Sequence, residues 1–449
     1  MRGDGEWEMG NGEMKLNRYP KYKPTGIAWL PEVPEGWEVI KVGYCFDENG
    51  SGTTPLSGSK DYYDGPINWV QSGDLHRDNI YATKKTVTEK ALQDYSLKIF
   101  QPPFVCMAMY GASIANVSMV RVSACTNQAC CVLAKNRANT DLDYLYRCLG
   151  SESIRQALLL KAQGGTQPNI NRGDILSTRI PLPPLAEQRA IVAYLDEKCG
   201  KIDRWVAAKE WEVALLKELK QAMIAEAVTG ATKVARTDTA RKMKPTGIPW
   251  LPEVPEGWEV RRLVSLFSNG VKSNKDFVYS RALKFNYGTL IPKNELGDPE
   301  EYRDVYVKYS LLQKGDIVIN GLNLNYDFNS MRVACAPCDG IITSAYIVCR
   351  PRLGIDTSYF TYLFKAMDYQ KMFHGMGTGI RLTLSFNELR GQFLPVPPLA
   401  EQREIVAYLD EKCGKIDAAV AGLEREVAAM KEYKQRLIAD VVTGQRKVA

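Results

Sequence analysis

Few residues in this chain have the types and spacing that catalysis needs. QPPF at 101–104 has the outline of an Asn/Asp-Pro-Pro-Tyr/Phe methyl-transfer loop, where the first side chain must accept a hydrogen bond from the target amine. Gln101 is too long for that task, and no glycine-rich cofactor loop following a strand precedes it. CAPC at 335–338 has Cys-x-x-Cys spacing, but a zinc site needs a second ligand pair and a redox pair needs a suitable helix start. It lies in a strand-rich run and reads as a turn. His76 and His374 are the only histidines, too few for a metal cluster and without an obvious nucleophile partner, and no phosphate-cradling GxxxxGK[ST] occurs. The chain is expected not to be an enzyme in its own right.

What remains is recognition chemistry. Asn and Gln can bond N6 and N7 of adenine together, and Arg and Lys can bond O6 and N7 of guanine, so loops rich in these residues can read base edges. In the first half the candidates are Ser51, Thr53 and Thr54 in GSGTT, then Asn68, Gln71 and Ser72 in NWVQSG. Asn127 and Gln128 in TNQ follow, with Thr166, Gln167 and Asn169 in GGTQPN. In the second half they are Lys272, Asn274 and Lys275 in SNGVKSNK, Asn323, Asn325 and Tyr326 in NGLNLNYDFN, and Thr378 and Arg381 in GTGIR. Gly, Asn, Ser and Thr are also ordinary turn formers, so base reading and turn formation both stay open for each loop.

Composition bounds the classes. At 449 residues the chain is too long for one ordinary core, and two to four domains are expected. With 45% hydrophobic and 24% charged residues and no apolar run long enough to span a bilayer, it reads as soluble and globular with no membrane partner. The N-terminus lacks the basic start and apolar core of a secretory signal, and eleven cysteines without framework spacing fit reduced thiols, so a cytoplasmic location is expected. The net charge is +6. Residues 40–179 carry 15 Lys/Arg against 12 Asp/Glu, and residues 261–393 carry 17 against 12. That mild basic excess suits a polyanionic partner and equally suits an ordinary solvated surface.

The elements that must position these loops are written twice. PTGIAWLPEVPEGWEV at 24–39 returns at 245–260 with only Ala28 changed to Pro249, and PPLAEQRAIVAYLDEKCGKID at 183–203 returns at 397–417 with only Ala190 changed to Glu404. The text between the constant blocks is unrelated. Each second constant block reads as a long helix, with a Pro-Pro pair before it, Gly230 or Gly444 ending it, and no internal proline. Cys413, Ile416, Val420, Leu423, Val427 and Met430 step by three and four, with Leu437 and Val441 continuing the pattern. Ile202, Val206, Val213, Leu216 and Met223 repeat it, although Lys209 stands where Leu423 does. The matched patterns predict that the two helices pair, each about 65 Å long. Gly200 and Gly414 fall inside them, permitting either a close approach or a kink. The variable blocks read as mixed α/β, strand-rich over 104–135 and 316–350 and helical over 141–163 and 356–375.

The two repeated motifs, with GGTQPNINRGDI in a variable block, resemble the specificity subunit of type I restriction-modification enzymes, over nearly the whole chain from about residue 15. The resemblance implies an α+β fold: two mixed α/β target recognition domains in a tandem, pseudo-two-fold arrangement, joined by two long antiparallel coiled-coil helices. The expected divisions are a disordered extension at 1–23, a first recognition domain with its entry segment at 24–182 and a spacer helix at 183–230. A linker at 231–244, a second recognition domain at 245–396, and a second spacer helix with its tail at 397–449 follow.

The implied partners are double-stranded DNA, two methyltransferase subunits and motor-nuclease subunits. S-adenosylmethionine, ATP and Mg are expected on those partners and no cofactor in this chain. Two identical partners need two identical patches, so Glu187, Gln188 and Arg189, with Glu401, Gln402 and Arg403, are expected to be the docking residues. The resemblance also implies a helix pair acting as a ruler between the halves of a split target. The alternative of another class is a scaffold whose two adaptor domains recruit proteins without reading DNA.

Overall fold

The computed structural model describes residues 17–448 apart from 77, 163–167, 233, 235–241, 287, 294–298, 327, 329–330 and 380–381. Within it each copy of the PTGI motif makes the same hairpin. β1 (Tyr22–Ile27) pairs antiparallel with β2 (Leu30–Pro34), Tyr22 opposite Pro34 and Ile27 opposite Leu30. A bulge between Pro24 and Ile27 puts Gly26 at φ +71°, a conformation that favours glycine. Of the extension expected to be disordered over 1–23, residues 1–16 lie outside the described residues, while Tyr19 packs edge-on against Trp37 and the chain enters this hairpin at Tyr22.

The chain divides into two compact units, one of residues 1–208 and 426–449, the other of residues 209–425. In unit 1 the hairpin leads to β3 (Glu38–Lys41), β4 (Phe46–Gly50), β5 (Tyr63–Val70), β6 (Asn79–Ile80) and β7 (Thr86–Val87). After α1 (Glu89–Asp94) come β8 (Phe104–Ala108), β9 (Val117–Val120), β10 (Ala124–Thr126) and β11 (Cys130–Asn136). The unit continues with α2 (Leu142–Leu149), α3 (Glu152–Leu159), α4 (Arg172–Ser177), β12 (Arg179–Leu182) and the start of α5 (Leu185–Thr229). The main sheet has the order β4-β11-β8-β9-β6, with β10-β5-β7 as a second sheet and β3-β12 as a two-stranded closure.

Unit 2 repeats the plan with the hairpin β13 (Met243–Ile248) and β14 (Leu251–Pro255), then β15 (Glu259–Arg262), α6 (Leu263–Leu266) and β16 (Phe267–Asn269). β17 (Leu283–Asn286), β18 (Thr289–Pro292), α7 (Arg303–Tyr306), β19 (Ser310–Leu312), β20 (Ile317–Ile319), β21 (Val333–Cys335), β22 (Gly340–Ile342) and β23 (Ile347–Pro351) follow. α8 (Thr357–Tyr369), α9 (Phe386–Leu389), β24 (Phe393–Val396) and α10 (Leu399–Val442) complete the elements, the end of α10 belonging to unit 1. Its main sheet, β16-β23-β20-β21, has the same order and antiparallel sense as β4-β11-β8-β9, and β15-β24 repeats β3-β12.

The strand-rich runs are apolar without alternation because both sheet faces are covered. Successive side chains point to opposite faces, so Val105 and Met107 of β8 enter the core shared with the helices, while Phe104, Cys106 and Ala108 enter a second core on the other face. β20 does the same, with Ile317 and Ile319 on one side and Val318 on the other. The helix expected over 141–163 is broken into α2 and α3 at Gly150, where Ser151 restarts the chain in extended conformation.

The heptad pattern is borne out in each unit separately. In unit 1 Cys199, Ile202 and Val206 of α5 join Val427, Leu437 and Val441 of α10 in one core, with Asp203 and Lys434 bridged at 2.7 Å. In unit 2 the other halves run together with ion pairs Lys217–Glu424 at 2.9 Å and Lys220–Asp417 at 2.7 Å. In unit 2 the ion-paired position rises along one helix as it falls along the other, which is the antiparallel sense.

All eleven cysteines are free, and nine are buried. Burial pushes the Cys125 thiol up to about 11 and those of Cys45, Cys131 and Cys349 up to about 12, so hardly any is thiolate near neutrality. Cys335 and Cys338, in the predicted turn, are partly exposed, and among the described residues no group of three or more His, Cys, Asp or Glu could hold a metal. A maleimide added to the native protein at pH 8 is therefore expected to label these two first, as read by mass spectrometry of the digest. Equal labelling of the buried thiols would contradict this packing.

Candidate nucleic-acid interface

The repeated polar residues turn out to be internal fasteners. At the start of α5 the Glu187 carboxylate accepts from the Trp37 indole N–H at 3.0 Å and from the Tyr19 hydroxyl at 2.6 Å. Gln188 is fully buried: its Oε1 accepts from the Asp141 N–H at 2.7 Å, and its Nε2 donates to the carbonyls of Asn139 at 3.1 Å and Pro183 at 2.8 Å. Asp141 in turn caps α2 by accepting from the Tyr144 N–H at 3.0 Å. Unit 2 repeats the set: Trp258 donates to Glu401 at 2.9 Å, Gln402 accepts from the Asp356 N–H at 2.8 Å and donates to Pro397 O at 2.8 Å, and Asp356 caps α8.

The expectation that Gln188 and Gln402 offer themselves to a partner is therefore corrected, whereas Glu187 and Glu401 are tied to the tryptophans but stay half-buried. A buried carboxamide whose oxygen and nitrogen are both engaged inside the protein has nothing left to present. Arg189 and Arg403 do remain exposed. The node also includes residues that sequence reading missed. The Tyr144 hydroxyl donates to Pro181 O at 2.9 Å and lies 3.3 Å from Val442 O, while that of Tyr359 donates to Val228 O at 2.8 Å and lies 3.3 Å from Pro395 O. The signal was present as Asp-x-x-Tyr in both variable blocks, at Asp141–Tyr144 and Asp356–Tyr359.

In unit 1 three of the four candidate loops converge. The Gly52 N–H bonds to Asn127 O at 3.3 Å, a Cβ on Gly52 would lie 1.6 Å from Thr126 O, and the Thr54 hydroxyl bonds to Gln128 Oε1. The Asn127 N–H bonds to Val70 O at 3.0 Å, which ties this pair to the end of β5, where Asn68, Gln71 and Ser72 lie. Ser51, Thr53 and Gln128 are exposed, and Ser72 is half-buried. Asn68 is engaged with Ser123 O and the Thr83 hydroxyl, and the Gln71 N–H bonds to the Asp74 carboxylate. Asn127 is a turn former: its carboxamide accepts from the Ala129 N–H at 3.1 Å and is nearly buried, so it is withdrawn as a reader. Thr166 and Gln167 lie outside the described residues.

Asn169 belongs elsewhere. It bridges Tyr110, and the Ile170 N–H bonds to Met109 O at 3.0 Å, so the segment before α4 packs on the loop that follows β8. Unit 2 has the same pairing: the Leu384 N–H bonds to Gly321 O at 2.9 Å and the Leu324 N–H to Leu382 O at 3.2 Å, so the segment before α9 packs on the loop that follows β20. This brings Asn323, Asn325 and Tyr326 to Thr378, whose backbone bridges Thr383; Arg381 lies outside the described residues. Each loop pair carries an exposed tyrosine, Tyr110 at 42% and Tyr326 at 77%. Tyr110 was missed from the sequence because nothing in MYGAS marks it apart from its place after β8.

The third candidate loop of unit 2 packs against a different element. The Lys272 carbonyl accepts from the Leu311 N–H at 2.8 Å, beside a cluster of Tyr302, Tyr306 and Tyr309, leaving Lys272 and Lys275 exposed. Asn274 is corrected: it is fully buried, donating to the carbonyls of Tyr279 at 2.8 Å and Tyr306 at 3.2 Å and accepting from the Tyr279 N–H at 3.2 Å.

The model of the type I restriction modification DNA specificity domain matches residues 34–203 and again 255–418, taking in both variable blocks and both helix starts. Over 454 aligned residues the chain is 22% identical to the MjaIX specificity subunit of Methanocaldococcus jannaschii, covering 97% of this chain and 98% of that one. Against the EcoBI specificity subunit of Escherichia coli it is 23% identical over 338 residues, 72% of this chain and 69% of the relative. A solved structure described as "Structural basis underlying complex assembly and conformational transition of the type I R-M system" superposes with a TM-score of 0.68 at 19% identity, over 93% of this chain and 99% of that one. This likeness bears on the fold.

Proposed function

Because the chain belongs to the type I restriction-modification DNA specificity family, we propose that each unit reads one half of a split, asymmetric duplex sequence and that each helix start docks one methyltransferase subunit. The chain is a DNA specificity subunit of a type I restriction-modification system, and the scaffold alternative finds no support. The observation that carries the finer reading is that two units share a sheet order and a buried fastening node yet present unrelated loops at equivalent positions. One scaffold carrying two sets of loops is what two different half-sites require. Among the described residues no helix is long and apolar enough to cross a membrane.

In this reading Ser51, Thr53, Gln128, Asn169 and Tyr110 face one half-site, and Lys272, Lys275, Asn323, Tyr326 and Thr378 the other. Lysines would engage phosphate and set affinity, while amides and hydroxyls would read base edges. Adenine methylation, with S-adenosylmethionine, and ATP-driven translocation and cleavage, with Mg, would belong to the methyltransferase and motor-nuclease subunits. Mapping adenine methylation in cells carrying the cognate methyltransferase subunit, with and without this chain, tests the assignment. A split motif with a fixed gap, present only with the chain, is expected; identical methylation in its absence would overturn the reading.

With Gln188 and Gln402 buried, the docking role passes to what the repeat leaves outside. Arg189 and Ala193, with their copies Arg403, Ala407 and Gly414, are exposed at helical spacing, and Gly200, half-buried, continues the strip. A Cβ on Gly414 would meet nothing within 4 Å, and one on Gly200 only the Arg204 guanidinium at 3.7 Å. A glycine inside an exposed helix costs about 1 kcal/mol relative to alanine, which close approach of a partner would offset. Ala193→Arg and Ala407→Arg are each expected to lower the methyltransferase stoichiometry from two to one, and both together to abolish assembly, read by native mass spectrometry. Unchanged stoichiometry in the double variant would place docking elsewhere.

A further inference from the structure

Arg332, immediately before β21, is fully buried. Its guanidinium donates to the carbonyls of Leu322 at 2.7 Å and Asn320 at 3.1 Å and reaches that of Asn323 at 3.5 Å. Its own N–H bonds to the carboxylate of Asp368 on α8 at 2.8 Å. Burying a cation is costly unless its donors are matched, so a guanidinium placed against three carbonyls within four loop residues fixes the path of that loop. Asn320 caps the turn by accepting from the Leu322 N–H at 3.1 Å, and Asn323 is held at φ +55°, where few side chains other than Asn and Gly settle. Beyond it stands Tyr326, exposed.

The register shows why only unit 2 has this device. Met107 pairs with Val117 across β8 and β9, and Ile319 pairs with Val333 across β20 and β21, so Arg332 takes the position that Asn116 takes in unit 1. In unit 1 the chain returns quickly, through residues 109–115, with the Ala115 N–H bonded back to Ala108 O at 2.8 Å. In unit 2 the strands are joined by the longer run 321–331, of which 327, 329 and 330 lie outside the described residues. We propose that Arg332 is the positioning residue of segment 320–326, setting the shape in which Asn323 and Tyr326 meet DNA and hence the half-site preference of unit 2. This rests on the DNA-reading assignment above.

The test is selection of the full chain, assembled with its methyltransferase subunits, on a randomised duplex library, with the unit 1 half-site as internal control. Arg332→Met is expected to lose roughly tenfold or more selectivity at the bases of one half-site while the other half keeps its wild-type profile, and Arg332→Lys to recover part of the loss. Asn323→Val, on the exposed loop, strains the same backbone without touching the buried charge and is expected to give the same one-sided loss even if Arg332→Met folds poorly. Tyr326→Ala should weaken the same half. An unchanged profile in Arg332→Met or Asn323→Val, or an equal decline in both halves, would overturn the proposal. A wild-type chain that selects no sequence would instead overturn the DNA-reading assignment itself.

Discussion

Exchanging residues 261–393 for the matching segment of another chain of this family is expected to replace one half of the target sequence and leave the other half and its methylation unchanged. The segment starts in β15 and ends in β24, which pair with each other, Arg262 opposite Phe393, so both junctions fall side by side in one two-stranded ladder. Each mismatched base pair costs about 1–3 kcal/mol, so a half-site of several bases should shift selectivity by at least a hundredfold at that half. The exchange succeeds only if the donor keeps the Asp356 and Tyr359 positions. The Asp356 carboxylate caps α8 where its own backbone N–H meets Gln402, and the Tyr359 hydroxyl seats the segment on the end of α5. A donor lacking Asp-x-x-Tyr there is expected to yield unfolded protein. A change in both halves with a folded chimera would refute modular reading.

Gln188→Leu is expected to be the most destabilising single substitution in either helix start. Leucine fills the space but strands three backbone groups, the buried carbonyl of Pro183 and the part-buried Asp141 N–H and Asn139 carbonyl. At about 1–3 kcal/mol for each unsatisfied group the loss is roughly 3 kcal/mol or more. Gln402→Leu strands the Asp356 N–H and Pro397 O and should cost less, about 2 kcal/mol. Urea unfolding of the full chain, with hydrogen exchange in α2 and α8 assigning the loss to a unit, separates the two. Full stability with failed subunit assembly would restore the docking role expected from the sequence; lost stability with α2 opening first supports the fastening role.

Gly230 and Gly444 show the same internal logic. Both end their helices at positive φ, and a Cβ would lie 2.6 Å from Pro255 Cδ at the first and 2.5 Å from Pro34 Cδ at the second. The repeated glycine, the repeated proline and the repeated tryptophan are thus parts of one contact made twice. That is a reason for near-verbatim repetition that involves no partner at all.

The sequence by itself determined the duplication, the two long helices with their heptad pattern, the α/β character of the variable blocks and the family. Each of these is written in spacing or in verbatim repetition, which survive without knowledge of any contact. Only the tertiary structure decided which repeated polar side chains face inward. Glu187 and Gln188 look like surface residues in a linear reading because Trp37 and Asp141, their partners, lie far away along the chain. Likewise Asn274 and Asn127 resemble loop readers in type, and only the closing of Tyr279, Tyr306 and Ala129 around them shows that their amides are spent on the backbone. Tyr110 was invisible for the converse reason, since its importance lies in standing at the end of β8 beside Asn169, a proximity that long-range strand pairing alone creates.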